Sequence, residues 1–215
     1  MPEDSRGNNR RTVADYERFA REYVATVEGR PSAGAEALRR LAAGVKPGTR
    51  VLEIGSGPGW DADALEALGI DVHRTDVTAA FRDFQIERGK RCDRLDLLSD
   101  RIDECYGGAM MLCVLQHFER AQMGGALRKL AGALDACGPL LLMYPEGDDE
   151  YREHGTAGDY LVVRWTPPAF DAHLAQAGFA LAWEHTIDGR GGTWRTVLAR
   201  KRSQPPEAGE GRCHR

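Results

Sequence analysis

The chain has no apolar run near the ~18 residues that a bilayer-spanning helix needs, and its first residues are polar, without the apolar stretch of a secretory leader. Its five cysteines (Cys92, Cys105, Cys113, Cys137 and Cys213) include no C-x-x-C pair, so the common zinc and dithiol patterns are excluded. An odd count without a leader reads as reduced thiols in the cytoplasm. There is no surplus of positive charge either: 29 Lys and Arg stand against 33 Asp and Glu, for a formal charge of −4. A phosphate backbone calls for clustered positive charge, so neither a nucleic acid nor a membrane is an expected partner. Basic pairs such as Arg10-Arg11 and Arg39-Arg40 are interleaved with acids and read as solvated surface. Internal repeats are lacking. What remains is 215 residues, enough chain for one full α/β core.

Within it, residues 51–59 read Val-Leu-Glu-Ile-Gly-Ser-Gly-Pro-Gly, an apolar strand ending in an acid and three alternate glycines. Gly55, Gly57 and Gly59 allow a tight turn and close approach of backbone to a ligand. A dinucleotide site would place its third glycine one residue later and a diphosphate on the following helix. Glu53, two residues before the first glycine, disfavours a diphosphate and suits a ligand carrying an ammonium group. An amino-acid-bearing nucleoside satisfies both conditions.

The stretch resembles the first motif of class I S-adenosylmethionine-dependent methyltransferases, E/D-x-G-x-G-x-G, of small-molecule type. Later segments keep the family's order. Residues 70–75 form a short strand ending at Asp76, about 20 residues past the loop, where a doubly wound sheet places its ribose acceptor. Residues 94–98 match a third strand, and residues 109–118 a fourth with the ending Leu115-Gln116-His117. The resemblance implies a Rossmann-like α/β domain over residues 12–202. Its doubly wound sheet would have seven strands, mainly parallel with one antiparallel strand, and helices on both faces. Residues 12–45 would be N-terminal helices forming a lid, and residues 1–11 and 203–215 read as disordered flanks.

It also implies S-adenosylmethionine as cofactor, with methyl transfer to an oxygen or nitrogen of a small molecule such as a specialised metabolite or modified amino acid. Gly55, Ser56 and Gly57 would then lie along the methionine part, with Glu53 orienting its ammonium. Asp76 would accept from both ribose hydroxyls, with Val77 beside it. Asp96 would accept from the adenine amino group, although Asp93, Asp100 and Asp103 lie nearby and a turn role is open; Leu97 would cover the ring. Leu112 and Cys113 would form pocket wall, since nothing near Cys113 in the sequence would activate its thiol. Tyr16, Phe19 and Tyr23 follow a helical stripe that either packs as core or folds over the ligand, Tyr16 on the cofactor and the other two on the substrate.

Residues 146–159, rich in Gly, Asp and Glu, read as a substrate loop; with the segment to 165 they supply Tyr151, His154, Tyr160 and Trp165 as pocket roof. His117 is the candidate general base, titrating near 6–7, the alternative being a histidine that packs at a strand end. The N/D-P-P-Y/F motif of many nucleic-acid enzymes and the acid pair of metal-dependent catechol-type enzymes are both lacking, so no metal is expected. The assembly expected is a monomer or homodimer. Two other readings stay open: a fold-mate that binds the cofactor but catalyses a different reaction such as a cyclisation, and a non-catalytic scaffold subunit.

Overall fold

In the computed structural model, which describes residues 7–155, 158–189 and 191–203, the apolar runs become the central strands. β1 (Arg50–Ile54), β2 (Asp71–Thr75), β3 (Gly108–Leu112) and β4 (Pro139–Pro145) pair in parallel in the order β2-β1-β3-β4. Every residue of β3 and β4 is buried, as expected for strands covered on both faces. A short antiparallel pair, β5 (Glu150–Gly155) and β6 (Gly158–Val163), stands apart from this sheet. The main sheet is completed by β7 (Phe179–Gly189) and β8 (Gly192–Lys201), in the order β4-β8-β7. β8 is antiparallel to both neighbours, so one reversed strand closes an otherwise parallel sheet.

Helices cover both faces. α2 (Ala35–Gly44) and α3 (Trp60–Glu66) pack on one side, in a cluster with Leu38, Leu41, Val51, Leu65, Met110 and Leu141. α5 (Arg120–Ala133) and α6 (Pro167–Gln176) bury Met123, Leu127, Leu130 and Phe170 against Leu52, Met111 and Leu142 on the other. Each such fully buried side chain contributes about 1.5–3 kcal/mol. α1 (Gly7–Val27) and α4 (Ala79–Glu87) share a third, smaller cluster built on Ala20, Val24 and Phe81. Among the described residues no helix is long and apolar enough to cross a membrane.

The architecture is the expected doubly wound one, with six strands in the main sheet instead of seven. Residues 94–98 form no strand; the residue before them, Asp93, makes an isolated parallel bridge to Thr75 at the sheet edge. Asp96 accepts from the Leu98 amide (2.9 Å) and the Ser99 hydroxyl (2.8 Å), a local turn that competes with strand pairing. Residues 146–159 are not a loop throughout: β5 and β6 form a hairpin there, with β6 packed on α1 and the turn after β3.

At the N-terminus, residues 7–11, expected to be disordered, belong to α1. Asn8 donates to Glu119 (2.8 Å) and Asn9 to the carbonyl of His117 (2.7 Å), so tertiary contacts hold a polar segment that composition alone would leave free. Residues 1–6 and 204–215 lie outside the described residues. Thr166 precedes α6 without a side-chain cap, the proline at the helix start serving instead. Cys92, Cys113 and Cys137 are free thiols, and Cys213 lies outside the described residues.

The glycine loop is tied to β2 by Arg74, whose side chain is 2% exposed. Its guanidinium pairs with Asp63 (2.6 Å) and Glu66 (2.8 Å) of α3 and donates to the carbonyl of Gly59 (3.3 Å). Removing one partner of a buried ion pair strands the others. Arg74→Leu is therefore expected to destabilise the fold by about 3 kcal/mol, read as a lowered urea midpoint with unchanged m-value. An unshifted midpoint would show that the network contributes nothing.

Candidate functional site

The parallel strands all end at one edge of the sheet, where open α/β folds bind ligands. A cleft of about 990 Å³ lies there, at the upper end of the range for small-molecule sites and roomy enough for two ligands side by side. Its floor is the loop between β1 and α3. Gly55 (φ 67°) approaches the turn after β3 so closely that a Cβ would lie 2.4 Å from a Val114 methyl. Gly57 (φ 53°) is the opposite case: a Cβ would meet nothing within 4 Å, so its open side is cleft space.

Three buried carboxylates lie near this floor, of which Asp61 and Asp76 line the cleft and Glu53, expected there from the sequence, does not. Asp76, just past β2, accepts from the amides of Gly57 (2.8 Å) and Thr78 (2.8 Å), and burial raises its pKa against those bonds. Two amides on two oxygens fix the carboxylate plane and leave further lone pairs toward the cleft. Asp61 accepts from the Ala33 amide (3.0 Å), tying the α1–α2 connection across the cleft mouth; burial raises its pKa too. Glu53, 4% exposed at the end of β1, has one carboxyl oxygen with no hydrogen-bond partner. Burial, seconded by Asp61 and Asp76, pushes its pKa to about 8, against a bond to Ser56. A buried carboxyl with an unused oxygen among other acids is a receptor for a cation.

The opposite wall is aromatic. Tyr16 and Tyr23 of α1 sit edge to face at 5.6 Å, and both contact Phe81 of α4 (5.6 and 5.7 Å). α1 is pinned over the cleft by Glu17, whose carboxylate accepts from the first amides of α4, Ala79 (2.5 Å) and Ala80 (2.9 Å). That bond caps a helix whose own Thr78 makes no side-chain cap. His117, 8% exposed, sits in a 3₁₀ turn (Leu115–His117) three residues beyond Val114 rather than on the strand, which ends at Leu112. Its Nδ1 faces the Leu161 carbonyl (3.2 Å) and its Nε2 the Tyr16 hydroxyl (3.3 Å). Burial lowers its pKa to about 4. The imidazole is thus neutral at physiological pH, and the expected titration near 6–7 moves well below it.

Most of the residues read from sequence meet here. Tyr16, Tyr23, Gly55, Ser56, Gly57, Asp76, Val77, Asp96, Leu112, Cys113 and His117 line the cleft. Cys113 stands just past the strand in a left-handed backbone (φ 56°), its thiol pushed up to about 12 by burial; it is wall, not nucleophile. Others do not reach it. Leu97 packs into the core, and its neighbour Leu98 faces the cleft in its place. Phe19 lies under Arg18 and does not line the cleft. Trp165 is buried between Phe170 and His173 (6.1 and 4.9 Å). Tyr151 and His154 lie on the hairpin away from the cleft, and Tyr160 stands behind Tyr16, stacked at 5.7 Å. Strand alternation sends only some residues of such a hairpin inward, and a loop assignment could not say which.

Sequence reasoning missed Asp61 and the tip of the β7–β8 hairpin, which brings Ile187 and Trp194 to the cleft. Because β7 runs parallel to the central strands, its turn falls at their ligand edge; Ile187, 43% exposed beside a turn, is the local signal.

No family model and no curated relative matches the chain. Solved structures do match its fold. DhpI in complex with SAH is 20% identical, with a TM-score of 0.71, over 92% of this chain and 98% of that one. The 1,6-didemethyltoxoflavin N1-methyltransferase of Burkholderia thailandensis is 19% identical over 94% and 91%, with a TM-score of 0.68. The CcbJ methyltransferase of Streptomyces caelestis is 15% identical over 80% and 91%, with a TM-score of 0.67. The chain therefore has the Rossmann-like fold of these enzymes.

Glu53 makes the unliganded protein pH-sensitive. Its folded pKa of about 8 exceeds the ~4.3 of an unfolded glutamate, so the folded state holds more protons in between. Stability is then greatest at the acid end of that window and falls as pH rises through it, by at most about 1.4 kcal/mol per pH unit. Asp61 and Asp76, also raised, act in the same direction. Urea melts between pH 5 and 8 should show this decline, and Glu53→Gln should flatten it; an equal slope in the variant would mean Glu53 is ionised throughout.

Proposed function

We propose that the chain is a methyltransferase that binds S-adenosylmethionine in this cleft and moves its methyl group to an oxygen or nitrogen of a small molecule, a specialised metabolite or modified amino acid. The observation that carries this is the partnerless buried oxygen of Glu53, on the strand that feeds the loop whose Gly57 leaves its open side to the cleft. A nucleoside bearing an ammonium group satisfies both: its cation would meet the carboxyl and its chain would lie where a Cβ is missing. Asp76 would take the ribose hydroxyls on its free lone pairs, and Asp96 with Leu98 the adenine. DhpI with SAH and the toxoflavin-precursor enzyme, which share the fold, lend support.

When bound, the cofactor supplies a methyl already activated on a sulfonium sulfur, so the side chains need no covalent chemistry. Their work is alignment, for which well-oriented reactants gain up to ~7–11 kcal/mol, and exclusion of water by α1, Tyr16 and Tyr23. Trp194, Ile187 and Met143 would make the far wall of the acceptor space. His117, neutral and fully hydrogen-bonded, is better suited to holding a neighbour than to taking a proton.

Calorimetric titration with S-adenosylhomocysteine should show binding, and Asp76→Ala should weaken it at least about tenfold through loss of a charge-assisted acceptor. Absence of heat at millimolar ligand would overturn the cofactor reading, and unchanged affinity in the variant would overturn the ribose role. Incubation of metabolite extracts with labelled S-adenosylmethionine would then reveal the acceptor as a product heavier by one methyl.

A further inference from the structure

The Tyr16–His117 pair has a direction. The Leu161 carbonyl can only accept, so Nδ1 of His117 must carry the hydrogen of the 3.2 Å bond. The ring is neutral, which leaves Nε2 with a lone pair and no hydrogen. The Gln116 amide nitrogen, 3.5 Å from the same Nε2, can likewise only donate. The Tyr16 hydroxyl, 3.3 Å away, must therefore donate to Nε2. Its hydrogen is committed, and what the phenol oxygen has left are its lone pairs. Neighbouring rings do not compete for them: Tyr23, Phe81 and Tyr160 meet Tyr16 through ring faces and edges at 5.6–5.7 Å.

We propose that His117 is a positioning residue that locks the Tyr16 hydroxyl as a hydrogen-bond acceptor in the cleft, so that the acceptor substrate is one that presents an N–H or O–H there. This deepens the methyltransferase reading and rests on it. A primary or secondary amine, or a hydroxyl, that donates its hydrogen to Tyr16 has its remaining lone pair turned away from the phenol and toward the cleft interior. A tertiary amine or an ether has no hydrogen to give and meets a wall of lone pairs. The pair so disfavours acceptors that are already fully methylated. No proton settles on His117 in this scheme; the one displaced on methylation leaves to solvent. The bond also ties the lid to chemistry, since α1 carries Tyr16 and the β5–β6 hairpin carries the carbonyl that sets the tautomer.

The polarity can be read without the natural substrate. Long-range ¹H–¹⁵N correlation of the His117 imidazole, in full-length protein saturated with S-adenosylhomocysteine, should show hydrogen on Nδ1 and none on Nε2. Phenol and anisole, then aniline and N,N-dimethylaniline, are titrated until the ring resonances of Tyr23 stop moving. A donor bound to the Tyr16 oxygen polarises its O–H and strengthens the bond to Nε2. Phenol and aniline are thus expected to shift the Nε2 resonance, and their methylated partners to leave it unmoved. Tyr16→Phe should abolish the difference. His117→Phe, read on the labelled Tyr16 ring, should let anisole perturb it as much as phenol does, because the freed hydroxyl can then donate. Hydrogen on Nε2, or equal responses to both members of each pair in wild type, would overturn the proposal. Failure to bind S-adenosylhomocysteine, with the donor preference intact in the free protein, would instead sink the cofactor reading and leave the polarity standing.

Discussion

Everything in the cleft is measured from the loop of residues 55–59, and that loop is held from behind by three side chains, Arg74, Gln85 and Arg88. Gln85, fully buried in α4, donates to Ser56 Oγ (3.0 Å) and the Gly57 carbonyl (2.8 Å) while accepting from Arg74 (3.2 Å). Arg74 takes the Gly59 carbonyl, and Arg88, lying 3.9 Å over the Trp60 ring, takes that of Pro58 (2.7 Å). Three successive carbonyls of a glycine-rich turn thus have partners on the side away from the ligand. Without them a stretch this free in φ would lose much of its definition to backbone entropy. Their acceptors being occupied, the loop turns its remaining surface to the cleft.

That arrangement explains which parts of the molecule were legible in the sequence. The glycine spacing and the acid before it are local, since a turn imposes its residue types on consecutive positions, and Gly55, Gly57, Asp76 and Asp96 all reach the cleft. The central strands were legible because burial on both faces writes a continuous apolar run. Arg74 and Gln85 carried no signal of their own: an arginine in a short strand and a glutamine in a helix read as surface residues, yet they are among the most buried polar side chains of the chain. Their partners lie 8 to 29 positions away, beyond any local pattern.

The two misread segments have separate causes. Residues 94–98 and the β5–β6 hairpin are both decided by particular hydrogen bonds rather than by propensity, local in the first and tertiary in the second. Asp96 is bonded within its own turn, which draws the first segment out of the sheet. The hairpin pairs where α1 supplies a surface for β6, including the Asp15 carboxylate that accepts from the Asp159 amide (2.9 Å). A sequence with strong charge and glycine content hides such a strand because its apolar alternation is short. For the same reason the aromatic residues of that stretch could be named but not aimed: Tyr160 supports Tyr16 from behind, and Trp165 belongs to the core.

Desolvation sets the chemical character of the site. Burial raises the pKa of Glu53, Asp61, Asp76, Cys113 and Tyr16 and lowers that of His117, so in each case the uncharged form is favoured. An acid-rich cleft with weakened charge is an asymmetric receptor. A cation entering beside Glu53 reverses the local penalty, since ionising that carboxyl then gains a partner, while an anion finds nothing to reverse. At the other wall the neutral imidazole and phenol keep fixed hydrogen-bond directions because neither titrates near neutral pH. The two walls therefore do different work: one recognises charge and adjusts its protonation to it, the other recognises the direction of a hydrogen bond and does not adjust at all. The transfer proposed above, from a cationic donor to a neutral nucleophile, calls for both, and this fold places them on opposite sides of one cleft.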